Sequence, residues 1–317
     1  MPDYLRISVT DKCNLRCIYC NPFGNKGLLS RRDILSFEEI GRVVRLFARK
    51  GIRKVRVTGG EPLVRKNITC LLNVLAGIKG IEDLSLTTNG VKLEEMAEDL
   101  KKAGLMRVNI SLDSITEETF KRITGYNYLK QVLKGIERAL QFGLTPLRIN
   151  TIILKGINDD EVEDLACLSA WLPLSVRFIE YTPTNKRLRG FLNNFVCNEE
   201  IRSRLEKRFG RLVPAPDFPA PGPAKYFRVR GFLGNLGFIS GRTEPFCNSC
   251  NRLRLSCEGR IYPCLFSPGS YPVQELLRRG APDWFISHKI EEIMERKLTA
   301  RGDRLPEPEL WMQSIGG

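Results

Sequence analysis

Histidine and long apolar runs are what this sequence has least of. Its 317 residues include a single histidine, His288, which stands far along the chain from the other candidate groups. This scarcity argues against hydrolases built on a histidine-containing triad and against histidine-rich zinc sites. The most apolar helical stretch, 71–78, is far shorter than the roughly 20 residues that a bilayer span needs. Residues 1–6 show no basic segment followed by an apolar run, so we expect no signal peptide, no membrane contact and a cytoplasmic location.

Cysteine and positive charge, in contrast, are abundant. The ten cysteines indicate metal ligation or redox chemistry, because cytosolic thiols stay reduced and rarely form disulfides. Fifty lysines and arginines against 36 acidic residues give a net charge of +14, which favours an anionic partner such as a nucleotide, a nucleic acid or a membrane surface. With 42% hydrophobic and 27% charged residues, the chain is expected to be globular, as one large α/β domain with an appendage or as two modest domains.

Strand-like and helix-like segments alternate through the first 180 residues. One helix is predicted to begin at Phe37, because Ser36 and Glu39 form a capping-box pattern, and to stop at Gly51. Such alternation favours parallel βαβ units. Periodicity leaves open whether these units close into a barrel, form an open arc or make a doubly wound sheet. The predicted strands are residues 4–10, 53–58, 84–88, 106–112, 146–154 and 174–180.

The pattern changes after residue 180. Residues 186–211 carry eight lysines or arginines and three glutamates, and 213–223 holds five prolines, which predicts a stiff connector or lid without regular structure. A β-rich piece follows at 226–240, then a second group of cysteines and a helical segment. The basic stretch has no assigned role beyond a solvated face.

A first group of cysteines follows the first predicted strand, in the stretch DKCNLRCIYC. Cys13, Cys17 and Cys20 have the spacing C-x3-C-x2-C, and active sites of α/β folds lie at the carboxyl ends of their strands. Three thiolates this close can bind one side of a cubane iron–sulfur cluster and leave one iron open to a small molecule. A structural zinc ion normally takes four ligands and fits less well. The remaining alternative is three buried thiols in a loop.

A second group of cysteines lies at Cys247, Cys250, Cys257 and Cys264. Four cysteines that include one C-x2-C pair fit either a zinc ribbon or a second iron–sulfur cluster. Spacing alone favours zinc slightly.

The cysteine triplet, with Tyr19 before its last member, resembles the signature of the radical S-adenosylmethionine (SAM) superfamily. Gly59-Gly60-Glu61-Pro62 after the second strand resembles the segment with which that superfamily holds the amino group of SAM. The resemblance implies a 4Fe–4S cluster on the triplet, SAM as cofactor and a radical that removes hydrogen from the substrate. It also implies contacts to SAM from Tyr19, Gly60, Glu61, Ser111 and Thr182.

A narrower resemblance comes from the order C-x2-C-N-R-x-R, then Cys264, then Gly316-Gly317. It is similar to the GTP 3′,8-cyclase branch, which acts in molybdenum cofactor biosynthesis. The resemblance implies a second 4Fe–4S cluster on Cys247, Cys250 and Cys264 that contacts guanine, with Cys257 as an extra cysteine. It also implies a diglycine tail that reaches the active site. The GTP-binding positions would be Arg6, Arg56, Thr87, Arg148 (a lysine in the family), Arg177, Arg252, Leu253 and Arg254.

The expected fold is therefore α/β, a partial (β/α)6-type parallel barrel with a C-terminal cluster-binding extension. The expected domains are 1–182 for the partial barrel, 183–224 for the basic and proline-rich connector, and 225–317 for the auxiliary cluster and tail. The expected reaction converts GTP to 3′,8-cyclo-7,8-dihydro-GTP after abstraction of the ribose H3′ by a 5′-deoxyadenosyl radical. A reducing electron donor is required, and a homodimer is a further expectation.

Two other readings compete with this one. A radical SAM enzyme that modifies peptides can also carry an auxiliary cluster, but the N-R-x-R placement and the diglycine argue against it. A zinc-ribbon nucleic-acid-binding protein would use the positive charge, yet it leaves the first cysteine group unexplained. The other cysteines, Cys70, Cys167 and Cys197, are predicted to be core thiols.

Overall fold

The structure is a computed structural model that describes residues 1–24, 28–216, 222–266, 269–299 and 312–316. Its centre is a set of six parallel strands, which neighbour one another in chain order. All six predicted strands are confirmed, each within a few residues of its expected ends. The strands are β1 (Tyr4–Ser8), β2 (Lys54–Thr58), β3 (Asp83–Thr88), β4 (Arg107–Ser111), β5 (Leu147–Thr151) and β6 (Leu174–Ile179).

Helices connect these strands and cover their outer face, which confirms the predicted partial (β/α)6-type barrel. The Ser36 hydroxyl accepts a hydrogen bond from the amide of Glu39 (3.1 Å), and the Glu39 carboxylate accepts one from the amide of Ser36 (2.7 Å). The predicted capping box is therefore present, and Gly51 follows the helix with a φ of +98°. The helices are α1 (Phe37–Arg49), α2 (Ile68–Ala76), α3 (Leu93–Lys102), α4 (Glu117–Thr124), α5 (Leu129–Gln141) and α6 (Val162–Trp171). Among the described residues, no helix is both long enough and apolar enough to cross a membrane.

The remainder of the described chain extends the same sheet at both edges. Strand β9 (Asn235–Ile239) pairs parallel with β6, and β10 (Arg252–Leu255) pairs parallel with β1. The strands are β7 (Val213–Pro214), β8 (Lys225–Arg228), β9 (Asn235–Ile239), β10 (Arg252–Leu255), β11 (Arg260–Tyr262) and β12 (Tyr271–Pro272). The helices are α7 (Asn198–Phe209), α8 (Gln274–Arg278), α9 (Asp283–Thr299) and α10 (Met312–Ile315).

The proline-rich connector is more ordered at its start than predicted. Val213–Pro214 forms a short strand against β8, which is possible because proline is tolerated at a sheet edge. The rest of this prediction falls partly on residues 217–221, which lie outside the described residues. In the basic stretch, Arg204 pairs with Glu163 at 2.8 Å and Arg202 with Glu206 at 3.2 Å, so part of its charge is neutralised locally.

The inner face of the six central strands is polar, and this face positions the site. In β1, Leu5 and Ile7 are fully buried against the helices, while the residues that alternate with them face inward. The register places Arg6 beside Arg56 on one side and Arg254 on the other. Barrels of this type usually fill their interior with branched apolar side chains. An interior of arginines indicates a space built for a ligand.

Candidate functional site

A cavity of about 780 Å³ occupies the interior of the barrel. Its wall includes both cysteine groups, although more than 200 residues separate them in the sequence. The six cysteines of the wall are Cys13, Cys17, Cys20, Cys247, Cys250 and Cys264. The fold therefore brings together the two groups that the sequence singled out.

The two cysteine groups lie at opposite ends of β1. The first group follows the carboxyl end of this strand. Cys250 precedes the amino end of β10, which runs parallel to β1 with Arg252 beside Tyr4. Strand β1 spans four residue steps, roughly 13 Å at about 3.3 Å per step, and each group lies beyond one of its ends. A ligand in the cavity would thus lie between the two groups.

The loop of the first group is fixed to α4 by its backbone. The amides of Arg16 and Ile18 donate to the carbonyls of Thr124 (2.8 Å) and Ile123 (3.0 Å). Burial raises the pKa of the Cys13 thiol to about 11 and that of Cys20 to about 12. Thiolates in this place need a cationic partner, and a cubane cluster, in which each cysteine binds its own iron, supplies one. Within the described ranges, no three His, Cys, Asp or Glu side chains are arranged to hold a single metal ion.

The second group has a different electrostatic environment. The ammonium of Lys297, on α9, lies 3.4 Å from the sulfur of Cys250, and Lys297 itself is only 5% exposed. Burial raises the pKa of Cys250, but Lys297 and Arg252 outweigh it and leave this pKa below its ordinary value.

Cys257 does not belong to the second group in space. It is fully buried and is not part of the cavity wall. Its amide donates to the carbonyl of Ser314 (3.4 Å), and its carbonyl accepts from the amide of Leu35 (2.8 Å). Three cysteines, rather than four, therefore face the cavity at this end.

The Gly59-Gly60 turn can be made only by glycine. The amide of Gly60 donates to the carbonyl of Thr10 at 2.6 Å. A Cβ atom at Gly60 would lie 2.4 Å from the carbonyl oxygen of Lys12, and one at Gly59 would lie 2.6 Å from that of Thr10. The turn thereby presents the backbone of Gly60 to the cavity beside the first cysteine group.

Glu61 is placed differently from its predicted role. It is 1% exposed, and it lies behind the cavity wall. Its carboxylate accepts hydrogen bonds from the amide of Leu63 (2.9 Å), the hydroxyl of Thr88 (2.8 Å) and the amide of Asn89 (2.6 Å). Burial raises its pKa to about 7. A carboxylate used in this way braces two strand ends and has little capacity left for the ammonium of a ligand, so the geometry does not support the predicted contact.

The other predicted SAM contacts lie in the wall near the first group. Tyr19, Ser111 and Thr182 all line the cavity. The hydroxyl of Tyr19 donates to the carboxylate of Asp113, which also accepts from the amide of Ile152 at 2.8 Å. Burial raises the pKa of Asp113 to about 6.

Five arginines line the cavity between the two cysteine groups. Burial is the main cause that lowers the pKa of Arg56 and that of Arg254, the latter to about 9, and repulsion from neighbouring arginines adds to it. The Nε atoms of Arg6 and Arg252 have no hydrogen-bond acceptor among the described residues. Buried cations and donors without partners are costly unless an anion compensates them. The five are Arg6, Arg56, Arg177, Arg252 and Arg254, and we call them the arginine cage.

Comparisons with known proteins agree with this architecture. A model of the radical SAM superfamily matches residues 7–168, and a model named Molybdenum Cofactor Synthesis C matches residues 174–302. The GTP 3′,8-cyclase of Thermodesulfovibrio yellowstonii is 43% identical over 316 residues, which cover 99% of this chain and 97% of that protein. The GTP 3′,8-cyclase of Heliobacterium modesticaldum is 44% identical over 294 residues, 93% of this chain and 90% of that one. The chain belongs to the radical SAM superfamily, in the family of these cyclases.

Solved structures show the same fold at lower identity. Streptococcus suis SuiB bound to S-adenosylmethionine matches this radical SAM protein with a TM-score of 0.60 and 18% identity, over 89% of this chain and 66% of that one. The structure of anSMEcpe with bound AdoMet matches with a TM-score of 0.52 and 17% identity, over 66% of this chain and 58% of that one. The chain thus spans less than two thirds of the length of either protein.

Two predicted GTP-binding residues of this radical SAM protein are not in the cavity wall. Leu253 is fully buried and packs in the outer core, because it alternates along β10 with the inward-facing Arg252 and Arg254. Arg148 faces inward but lies behind the wall, 1% exposed. Its three guanidinium nitrogens have no acceptor among the described residues, and burial lowers its pKa to about 10. Thr87, in contrast, lines the cavity, and its contact with GTP stays a prediction.

Segment 312–316 reaches the arginine cage. The carbonyl of Gly316 accepts a hydrogen bond from Arg254, and the φ of Gly316 is +79°. A Cβ atom at this position would lie 2.3 Å from Cγ2 of Thr58, so only glycine fits. Gly317 lies outside the described residues.

Sequence reasoning missed several residues of the cavity wall, among them Tyr4 and Lys297. Tyr4 shares its strand face with Arg6, so the alternation of β1 would have found it. Nothing in the sequence links Lys297 to Cys250. The prediction of three core thiols is wrong for Cys70, which is exposed on α2, while Cys167 and Cys197 are partly buried.

Proposed function

We propose that this protein is a GTP 3′,8-cyclase, which acts in the cytoplasm and joins C3′ of the ribose to C8 of the guanine in GTP. The observation that carries the proposal is one cavity in which five arginines, three of them buried, lie between two groups of three cysteines. Family membership supplies the reaction, and the cavity supplies a place for each part of the substrate. The ten free cysteines agree with a reducing compartment.

Cys13, Cys17 and Cys20 would hold a 4Fe–4S cluster, with its fourth iron open to SAM. When bound, the cluster and SAM together supply a radical that can remove hydrogen from an unreactive carbon. The chain's own contribution at this end is positional. The backbone of Gly60 and the side chains of Ser111 and Thr182 line the space for SAM, and Tyr19 is held in place by Asp113.

Cys247, Cys250 and Cys264 would hold a second 4Fe–4S cluster at the other end of the cavity. A closed zinc site needs a fourth ligand, and Cys257 is buried elsewhere. Three facing cysteines would leave one iron of a cubane without a protein ligand, and that iron could bind a nitrogen or oxygen of guanine. The guanine would therefore lie at this end and the ribose nearer the first group.

The arginine cage would bind the triphosphate. Arg56, Arg177 and Arg254 are buried, neighbouring guanidinium groups repel one another, and the Nε atoms of Arg6 and Arg252 have no acceptor among the described residues. A bound polyanion would offset the repulsion and accept hydrogen bonds from these donors. A guanidinium can grip phosphate oxygens in a bidentate way, which fixes orientation as well as charge. Arg148, behind the wall, would add positive potential without direct contact.

The second cysteine group and the arginine cage would thus hold the substrate at two points, with its C3′ hydrogen toward the first group. The hydrogen leaves C3′, the new bond forms between C3′ and C8, and reduction completes the dihydro product. Because the reaction consumes electrons, the protein needs a reducing partner. The predicted homodimer stays a prediction.

The decisive experiment uses the anaerobically reconstituted holoenzyme with SAM and GTP deuterated at C3′. We expect deuterium in the 5′-deoxyadenosine that is formed, because abstraction at C3′ starts the cyclisation. The control is GTP deuterated at C2′, from which no deuterium should transfer. 5′-Deoxyadenosine without deuterium from the C3′ label would contradict the proposal.

A radical SAM enzyme that modifies peptides is the alternative from the sequence. No specific feature of the cavity favours it, because a cage of five arginines suits a compact polyanion better than a peptide backbone. GTP binding that depends on Arg252 and Arg254 would separate the two functions.

A further inference from the structure

Tyr4 is a buried polar residue of the cavity wall that the proposed function does not yet use. It is the first residue of β1, it is 7% exposed, and its side chain faces the cavity. Its hydroxyl has no hydrogen-bond partner among the described residues. A buried hydroxyl without a partner costs free energy, so it is expected to meet a ligand or an ordered water.

The surroundings of Tyr4 are strongly cationic. The guanidinium carbons of Arg56 and Arg6 lie 5.5 Å and 5.9 Å from the centre of its ring. Arg252 is its neighbour in register on β10. Two cations near Tyr4 are paired with carboxylates, Lys54 of β2 with Asp3 and Arg107 of β4 with Asp83 of β3. The other charged groups that face Tyr4 are Arg6 of β1, Arg56 of β2, Arg177 of β6 and Arg252 of β10.

These charges make the phenol unusually acidic. Burial alone raises the pKa of Tyr4, but the arginines outweigh it and lower the pKa to about 8. The guanidinium groups of Arg6 and Arg56 also lie within cation–π distance of the ring, whose face is negative. The residue therefore compensates part of the positive charge when no anion is present.

We propose that Tyr4 is a positioning residue for the phosphate chain of the nucleotide, to which its hydroxyl donates a hydrogen bond inside the arginine cage. This inference rests on the proposed function, because that function supplies the triphosphate. Tyr4 carries a neutral O–H donor without a partner among the described residues, beside several cations. The Tyr4 hydroxyl can thus donate a hydrogen bond to a phosphate oxygen of a polyanion that the arginines bind.

Binding of a polyanion in the arginine cage is expected to be coupled to protonation of Tyr4. When a polyanion neutralises the arginines, they no longer stabilise the tyrosinate, and the pKa of Tyr4 rises from about 8. The phenol then takes up a proton and can donate it in the hydrogen bond. Binding is favoured by the protonated form, so affinity should fall as the pH rises through about 8.

The test is calorimetric titration of the reconstituted holoenzyme with inorganic tripolyphosphate at pH 8, in two buffers with different ionisation enthalpies. The wild type is expected to take up about half a proton more than Y4F, since about half of Tyr4 is ionised before binding. Y4F should also bind tripolyphosphate about tenfold more weakly, because it loses one hydrogen bond to a charged group. Y128F, which removes the same atom from a half-buried tyrosine outside the cavity wall, should match the wild type in both measurements. Guanosine, which has no phosphate, should cause no proton uptake.

Each failure has its own meaning. Equal proton uptake and equal affinity in the wild type and Y4F would overturn the role of Tyr4 while leaving the arginine cage in place. Proton uptake that guanosine alone produces would also overturn it, since the contact would then be to the base or the ribose. Tripolyphosphate binding that is unaffected by R56Q and R254Q would contradict the proposed triphosphate site itself.

Discussion

The two cysteine groups offer the same three ligands to the same cavity in opposite electrostatic surroundings. Around the first group, burial raises the pKa of all three thiols, and the carboxylates of Glu61 and Asp113 raise them further. Around the second group, Lys297 and Arg252 lower the pKa of Cys250 against the effect of burial. One fold thus supplies an anionic surrounding at one end of β1 and a cationic one at the other.

The difference has a functional meaning for iron–sulfur chemistry. An added electron is disfavoured near carboxylates and favoured near ammonium and guanidinium groups, because nearby charge and hydrogen bonds to sulfur set the reduction potential. We therefore expect a cluster on the first group to be a strong reductant and one on the second to accept electrons more readily. A strongly reducing cluster on the first group suits reductive cleavage of a cofactor, and a less reducing cluster on the second group suits a stable contact with substrate.

Removal of a single cysteine should have the largest effect, because it should eliminate one cluster and leave the other. Cys17→Ala is expected to abolish formation of 5′-deoxyadenosine, while Cys250→Ala should spare the first cluster and lower iron and sulfide by about half, from about eight irons to about four. Iron and labile sulfide in anaerobically purified protein are the measurement.

Cys257→Ala is the matched control for these variants. Because Cys257 lies outside the cavity wall, the variant should keep its full iron content and lose only about 1 kcal/mol of stability. A loss of iron in this variant comparable to that in Cys250→Ala would show that four cysteines serve the second site.

Arg254→Gln should have the next largest effect, on the substrate rather than on either cluster. It removes a buried guanidinium from the arginine cage and the hydrogen bond to the carbonyl of Gly316. We expect GTP to bind about a hundredfold more weakly, about 2.7 kcal/mol, with both clusters retained. Equilibrium binding of GTP measures it, and Arg279→Gln, on an exposed side chain, should leave the affinity unchanged. Iron loss in Arg254→Gln would mean that this arginine serves the second cysteine group instead.

Lys297→Met tests the cationic surrounding of the second group directly. The ammonium lies 3.4 Å from the sulfur of Cys250, so its removal should lower the reduction potential of the second cluster by roughly 60 mV and leave the first unchanged. A reductive titration followed by electron paramagnetic resonance separates the two signals. Lys289→Met, on the same helix but paired with Glu292, is the control. An equal shift of both clusters would argue against a local effect.

The features that the sequence predicts are those determined by residues close together in the chain. The six central strands were predictable because apolar and polar residues alternate within each of them, and the cysteine spacings identified both groups. The alternation of side chains along β10 also predicts that Leu253 faces away from the cavity, because it lies between the inward-facing Arg252 and Arg254. Tyr4 was accessible by the same argument.

Other features depend on contacts between distant segments. The pairing of β9 with β6 and of β10 with β1 has no local signature, because it joins residues far apart in the chain. Arg148 has the inward orientation that alternation predicts, yet its depth behind the wall depends on neighbours from other strands. The proximity of Lys297 to Cys250 is of the same kind.

The smallest expected effect concerns Glu61, where the structure and the sequence interpretation differ. If Glu61 contacted the ammonium of SAM, Glu61→Gln would lose a charged contact and weaken SAM binding strongly. The observed carboxylate instead accepts three hydrogen bonds from protein groups, so we expect about 1 kcal/mol of lost stability and at most about a threefold change in SAM affinity. Gln keeps the shape and part of the acceptor capacity. The variant also removes one anionic neighbour of Cys13, so the potential of the first cluster should rise slightly while that of the second stays fixed. The measurements are thermal unfolding, SAM binding and the two reduction potentials, all on one preparation. A large loss of SAM affinity with unchanged stability would show that Glu61 contacts SAM directly and does not only hold the two strand ends together.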